Sequence, residues 1–446
     1  SMLSTKKFNF ILVNKKKFKF FLALFYFLIF FSIIYFSVPK LLNFSLESIK
    51  KNLKKNNNIN ISSILKVDYN VFPSPRLIIR NSNFTIGEDI AEIKNSKLEL
   101  ILNISQILNF KEITYKKLLI SKGSVKINLE KIDQLIPNAD IDNKKLTFKN
   151  GSLAFFYKDN FFFEITDVLI KVVKNDGKKK LDINGNFLDN KIFIRFNNTY
   201  TNKNNLVLKI PKLDIRSRIY FEKNKSGNYK GTLNLEVFNN FLKSDFIKNK
   251  SIKLINGFVR SKLVSTALEG EIAFRPNFFS NLDFKISNLN TEKLLILIKN
   301  TYFSKNSNSL SFIKKTNGIF NFKSKLEGRI INKNGEVIFE NFKIGKNKSF
   351  SLDANIIEFG IKGKVQFKLT KKIKHKKDLS KKIEIIGFLV PSNSKVIFEK
   401  ILLNGIEMTI TKTKEYENKL ENKLIKGSLV NILNEGEIDK FLKNLF

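Results

Sequence analysis

His375 is the chain's single histidine, and it stands in the lysine run KKIKHKKDLSKK. A catalytic triad needs a base held by a partner, and a histidine-ligated zinc site needs more than one ring, so His375 among like charges supplies neither. Cysteine is absent, which removes disulfides, thiol nucleophiles and cysteine-bound metal together. There is no GxSxG, no P-loop, and no GxGxxG leading into a helix. Glu269 and Glu271 alternate with apolar residues in LEGEIAF, a period of two that sets both on the wet face of a strand, where lysines are the expected partners. The residues that could do chemistry therefore predict none: the chain is expected not to be an enzyme, with no catalytic residue, no cofactor and no metal.

What does repeat is apolar alternation. KLELIL sets Leu98, Leu100 and Leu102 against Lys97, Glu99 and Ile101; SVKINLE does the same with Val125, Ile127 and Leu129. TLNLEVF repeats it with Leu233, Leu235 and Val237, and KVQFKL with Val365, Phe367 and Leu369. Such a pattern makes strands with one apolar and one wet face, and these twelve positions are the expected lining of an apolar interior. Turns containing Asn or Gly near Gly185, Asp189, Gly227, Gly257, Gly318 and Gly335 favour tight hairpins.

From about Ile61 onward, roughly 370 residues at about 13 per strand and turn predict on the order of 25–30 strands. A sheet of that size must curl, split or close. The expected fold is mainly β: a long curled antiparallel sheet forming a groove, with an N-terminal transmembrane helix and a few short capping helices. Expected helices are ISQILN near Ile107, VFNNFLKSDF near Phe241, NTEKLLILIKN from Thr291, and the terminal EIDKFLKNLF, where Ile438, Phe441, Leu442 and Leu445 share a face. KTKEYENKLENK around Glu415 and the run around His375 are polar and lysine-rich and are expected as loops. The aromatic cluster LAFFYKDNFFFEI at Leu153–Ile165 suits edge or core packing first and acyl-chain contact second.

These strands must be placed by something, and the stretch that places them is FFLALFYFLIFFSIIYFSV, residues 20–38. As a helix it reaches about 28 Å, close to the hydrocarbon thickness of a bilayer. Phe20, Leu24, Phe27, Phe31, Ile34 and Val38 are the expected anchor residues. A cleavable leader ends in small residues; Tyr35, Phe36 and Val38 are bulky, so the segment reads as a retained anchor. Lys15, Lys16, Lys17 and Lys19 before it place the tail, residues 1–19, in the cytoplasm by the positive-inside rule. After the span comes a juxtamembrane amphipathic helix and linker, residues 39–60, with Leu42, Leu46, Ile49 and Leu53 near helical spacing and a capping role on the first strands expected. The β domain then runs from 61 to 427, and the C-terminal amphipathic helix from 428 to 446.

The chain of 446 residues has a formal charge of +40, which alone would suit nucleic acid. The lysines are spread evenly and arginine is scarce, whereas nucleic-acid surfaces concentrate charge and use Arg forks. Nucleic acid is therefore not an expected partner, and anionic headgroups near the anchor are, at about 1 kcal/mol per lysine.

Residues 67–130 resemble the AsmA family of envelope proteins, which includes TamB-like and YhdP-like members. An anchor ending at a proline is followed by a short helix and then by VDYNVFPSPRLIIRNSNFTIG, similar to the family's strand, aromatic-proline turn and second strand. AEIKNSKLELILNISQILNFKEITYKKLLISKGSVKINLE is similar to its next strand, leucine-bearing helix and closing strands, and SNLNTEKLLILI and NGEVIFENFKIG are similar to its C-terminal segments. The resemblance implies a bacterial inner-membrane protein, N-terminus cytoplasmic, with a curled sheet in the periplasm. It also implies an apolar groove carrying phospholipid toward the outer membrane, in lipid homeostasis or assembly there. At ~4.8 Å per strand, ~25–30 strands give only ~120–145 Å of groove, short for that family.

Two readings stay open on the residues. In one, the interior is a groove for acyl chains; in the other, it is filled, and the chain is a non-enzymatic scaffold that binds another envelope protein. An outer-membrane barrel is disfavoured, because lipid-facing strands need an unbroken apolar band with aromatic girdles.

Overall fold

A computed structural model of the chain describes residues 14–41, 46–63, 66–87, 91–107, 113–129, 145–157, 160–175, 178–198, 203–224, 227–237, 239–273, 278–290, 293, 296, 300, 302–303, 316–344, 348, 350–373, 381–393 and 395–426. The described residues hold 25 strands of one mixed sheet. Two compact units divide the chain: Ser1–Ala154 with Asp167–Asp176, and Phe155–Thr166 with Gly177–Phe446. The stretch 61–427 thus contributes to both units. The expected terminal helix at 428–446, His375 and residues 1–13 of the tail lie outside the described residues.

The first unit begins with α1 (Asn14–Leu41), whose Lys19–Pro39 segment of 21 residues is long and apolar enough to cross a membrane. Most of its length is exposed: Phe20 is 67% exposed, and Leu24, Phe27, Phe31 and Ile34 are exposed too, while Tyr35, Phe36 and Val38 near its end are half-buried. α2 (Leu46–Asn57) sets Ile49 and Leu53 one turn apart. Both are fully buried, and the helix packs against β1 (Ile59–Ser63) as the expected cap, with Lys50, Lys51, Lys54 and Lys55 outward. Asn58 ends it in the left-handed region (φ 52°), its N–H donating to the Lys54 carbonyl at 3.1 Å, a conformation Asn tolerates better than most residues.

β2 (Val67–Asn70), β3 (Arg76–Ile86), β4 (Ala91–Leu102), β5 (Tyr115–Ser121), β6 (Ser124–Asn128) and β7 (Lys145–Tyr157) follow. β3 pairs with β1 and β2 on one side and β4 on the other; β4 also pairs with β5 and β6. β5 pairs with β7 in parallel, so the sheet is mixed where a plain antiparallel meander was expected. Of the helix expected at ISQILN, the described residues hold a 3-10 turn, Ile104–Gln106. This unit has a filled core. Leu77, Ile79, Leu98, Leu100 and Leu118 are each at most 1% exposed.

Two hydroxyls join the anchor to this unit. Tyr35 donates to the Ile104 carbonyl at 2.6 Å, and Tyr69 on β2 donates to the Phe36 carbonyl at 3.0 Å. Burial, with Tyr35 beside it, pushes the Tyr69 hydroxyl above its ordinary range.

The second unit draws on β8 (Asn160–Asn175) and then runs through β9 (Lys178–Phe187), β10 (Asn190–Asn198), β11 (Lys203–Ile210), β12 (Ile215–Lys223), β13 (Tyr229–Val237), β14 (Asn240–Lys248), β15 (Ile252–Arg260), β16 (Val264–Ala273) and β17 (Phe279–Leu289). It continues with β18 (Asn317–Ser324), β19 (Glu327–Lys333), β20 (Glu336–Ile344), β21 (Phe350–Glu358), β22 (Lys364–Ile373), β23 (Lys381–Val390), β24 (Lys395–Leu403) and β25 (Ile406–Glu407), and with α3 (Ile410–Lys426). Each strand from β9 to β25 pairs with the next; all these pairs are antiparallel except β17 with β18. The chain returns for that parallel step through a segment in which Lys293, Ile296, Asn300 and Tyr302 are helical.

Several local expectations are corrected: the turn expected near Gly257 is a bulge inside β15, with Asn256 at φ 52°, and Gly318 lies within β18. VFNNFLKSDF is the end of β13, a turn with Asn239 at φ 62° and the start of β14, because an asparagine pair favours the left-handed turn over helix. KTKEYENKLENK lies within α3, where the i,i+4 pair Glu415–Lys419 (2.6 Å) supports a helix that its polarity disguised. α3 packs against β24, and the Glu417 carboxylate accepts the Phe398 N–H at 2.9 Å.

The ladder of this unit is curled. β9 and β17 are eight pairings apart, roughly 38 Å in a flat sheet. Yet Phe163 meets Phe187 at the end of β9 (centroids 5.6 Å), and Phe162 meets Phe278, just before β17 (6.1 Å). Glycines facing phenylalanines mark the bends: Gly231 stands between Phe221 and Phe246, Gly328 opposite Phe322, and Gly387 between Phe367 and Phe398. Missing side chains let the sheet fold over and neighbouring rings fill the gaps. Gly270, between Leu254 and Leu282, has φ +148° and a hypothetical Cβ only 2.2 Å from the Asn281 carbonyl oxygen. Gly270→Ala is expected to lower stability by about 1–3 kcal/mol, read by chemical denaturation; an unchanged midpoint would show that the bend needs no glycine.

Candidate functional site

Because cross-strand partners share a face, the strand register sorts the paired side chains of the second unit. One face carries Ile183, Ile194, Leu208, Ser217 and Leu235 in one row, and Phe196, Leu206, Ile219, Leu233 and Ser244 in the next. It continues through Phe246, Leu254, Leu268, Phe284 and Phe322 to Phe339, Leu352, Leu369, Ile385 and Ile401. The opposite face carries the charges, and they pair across strands: Arg195 with Asp182 (2.7 Å), Lys230 with Glu222 (3.0 Å), Arg329 with Glu340 (2.5 Å), and Lys368 with Glu384 (2.6 Å). Those lysines hold the Glu384 carboxyl below its ordinary range, chiefly through hydrogen bonds from Lys368 and Lys382. Glu269 and Glu271 are on this wet face as expected; Glu271 stands across from Lys253 and accepts the Ser251 hydroxyl, whereas Glu269 stands across from Asp283.

The apolar face is covered unevenly. Over β23 and β24, Met408 and Tyr416 of the α3 region pack on it, and Ile383, Ile385, Val396 and Ile401 are 0–3% exposed. Near β20–β22, Phe303 from the crossover segment packs with Val337 and Ile356. Over β12–β17 the situation differs. Leu254 and Leu268 are buried, but Ile219, Phe221, Leu233, Leu242, Leu282 and Phe284 around them are only half-buried. α1, α2 and α3 pack elsewhere, against β2, β1 and β24.

Two polar interruptions on this face, Ser244 and Thr266, bond within it. Ser244 donates to the Asp245 carbonyl at 2.9 Å, and Thr266 to the Ala267 carbonyl at 2.8 Å. Neither offers a free group, and apolar side chains dominate the middle of the face, with Lys223, Lys248 and Lys371 on it toward the strand ends. A depression of about 500 Å³ between β11 and β15 is lined mostly by side chains of the opposite, polar face, among them Tyr220, Thr232, Asp245 and Ile247. It is no part of the apolar track.

The twelve sequence-selected positions separate by unit. Leu98, Leu100, Leu102, Val125 and Ile127 are buried in the packed core of the first unit, and Leu129 lies half-buried just past β6. Leu233, Leu235 and Val237 are on the open stretch; Val365, Phe367 and Leu369 are on the same face nearer the covers. Sequence reasoning missed the Gly–Phe pairs, whose signal was available as glycines inside alternating strands. It also missed the Tyr35 and Tyr69 joints, which have no sequence signature.

No family model, curated protein or solved structure matches the chain. What the residues define is a mainly β protein with one long mixed sheet and an N-terminal helix able to cross a membrane.

Proposed function

We propose that the open apolar face over β12–β17 takes the acyl chains of phospholipid. On this reading the protein is a non-enzymatic, AsmA-like component of phospholipid transport between membranes, serving outer-membrane lipid homeostasis and biogenesis. It needs no cofactor. α1 holds it in a bacterial inner membrane with the tail cytoplasmic and the sheet in the periplasm. The observation that carries the reading is the contrast along one face: where α3 packs, Ile383, Ile385, Val396 and Ile401 are at most 3% exposed, whereas over β12–β17 the buried Phe246, Leu254 and Leu268 are ringed by half-buried apolar side chains with no described α-helix over them.

The mechanism is one of solvation. Each methylene moved from water onto apolar surface contributes about 0.8 kcal/mol, and headgroups stay wet beside the lysine-bearing edges. Successive strands offer like surface, so sliding from one to the next changes the free energy little. The face is passive in this scheme, and direction comes from the supply and removal of lipid at its ends.

Native mass spectrometry of the chain lacking α1, prepared without detergent, tests this. Several phospholipids per monomer are expected. A stably folded, lipid-free monomer would contradict the proposal and favour a scaffold that uses the same face to bind protein.

A further inference from the structure

Phe72 is 82% exposed, the most exposed of the large hydrophobic residues described. It sits in the turn between β2 and β3, and the stretch Asn70–Pro75 around it contains no charged residue. Ile104, 50% exposed, belongs to the 3-10 turn after β4. The two turns lie at the same end of the first unit, because the Leu102 N–H donates to the Pro75 carbonyl at 2.9 Å and Ile101 is in register with Arg76. An isolated exposed Phe is ordinary; its place here is what calls for explanation.

That place is fixed by the anchor. The Ile104 carbonyl accepts the Tyr35 hydroxyl at 2.6 Å, and Tyr35 is four residues inside the end of the apolar span at Pro39, about 6 Å along the helix. Tyrosines at that level belong to the interfacial belt of a bilayer. The end of the unit that touches Tyr35 is therefore the end that meets the membrane surface. Lys116 and Lys117, at the start of β5 beside Leu102 and Ile101, add positive charge at the same end, suited to anionic headgroups.

From this geometry we infer that the Phe72 turn and Ile104 are inserted in the interfacial layer of the bilayer that α1 crosses, so the first unit is seated on the membrane and not merely tethered to it. The inference rests on α1 being a membrane anchor. The occupant of this apolar end is lipid because the span itself continues into it. Seating fixes the orientation of the first unit against the bilayer, which one flexible tether could not do.

The chain contains no tryptophan, so Phe72→Trp in the full chain supplies a single reporter. The protein is reconstituted in phosphatidylethanolamine–phosphatidylglycerol vesicles carrying lipid brominated close to the headgroup, with Arg80→Trp as the reference. Position 80 lies four residues along β3 from Arg76, roughly 13 Å away. The expected result is short-wavelength emission from position 72 and quenching several-fold stronger than at position 80. If the chain floats with the vesicles and position 72 emits as in water without quenching, the inference is overturned while the anchor stands. If the chain does not float with vesicles at all, the anchor reading fails and the inference with it.

Discussion

Leu233→Asp is expected to remove bound phospholipid several-fold while leaving the second unit folded. Leu233 is half-buried between Ile219 and Ser244 on the uncovered stretch, so a carboxylate there keeps its water. The cost to stability is expected to be near that of an average substitution, about 1 kcal/mol. To an acyl chain on the same face, however, it presents a charge that cannot be desolvated without a large penalty. Leu100→Asp is the counterpart. Leu100 is 1% exposed in the first unit's core, and the same change there should unfold that unit outright. Paired measurements of lipid content and circular dichroism check both. If Leu233→Asp unfolds its unit as Leu100→Asp does, the second unit has a filled core and the scaffold reading gains.

The second large effect is at Arg76. Its guanidinium meets Glu99 at 2.7 Å, Lys97 approaches the other carboxylate oxygen at 2.5 Å, and the Glu99 side chain is only 7% exposed. Burial alone would raise the Glu99 carboxyl, but the hydrogen bonds from Lys97 and Arg76 outweigh it and hold the group below its ordinary range. Removing one partner of a buried pair costs about 3–5 kcal/mol, because the other charge is left buried. Arg76→Ala is expected at the lower end, since Lys97 remains. Arg76→Met with Glu99→Leu is expected to be near neutral.

The pH dependence follows in sign. A depressed carboxyl contributes stability that is complete above the ordinary glutamate range and is lost as pH falls through the lower folded value. Wild type should therefore lose stability on acidification below the ordinary glutamate range, and Glu99→Gln, already less stable at neutral pH, should lose less over that interval. Equal slopes for the two proteins would show that the pair is not what holds this strand face.

Much of the β architecture is legible from alternation alone. KLELIL, TLNLEVF and KVQFKL are strands with the apolar parity their spacing dictates, and the Leu188–Asp189 turn between β9 and β10 has both residues at positive φ, as a tight hairpin requires. Where the sequence misled, competing physics explains it. The apolar residues of VFNNFLKSDF suggested a helix, but the asparagine pair decided for a hairpin. α3 was hidden because its support comes from charge pairs and from one carboxylate on the Phe398 amide. The two parallel joins depend on long connections, which carry no local pattern.

The candidate face was legible only in part. Parity places Leu98 and Leu233 alike, yet one lies in a dry core and the other on an open surface. The difference is set by what covers each stretch of sheet, and coverage is a tertiary property that a period of two does not record. The glycines opposite phenylalanines were the available hint that the second unit bends.

The most direct test of the central claim is photo-crosslinking in the full chain in its native membrane, with a benzophenone amino acid placed singly along β13 and β15. Leu233, Leu235 and Leu254 share the apolar face, whereas Asn234, Glu236 and Lys253 share the other. The account predicts phospholipid adducts at the first three and none at the second three. Adducts to protein at Leu233 and Leu254, or lipid adducts that ignore the alternation, would contradict it.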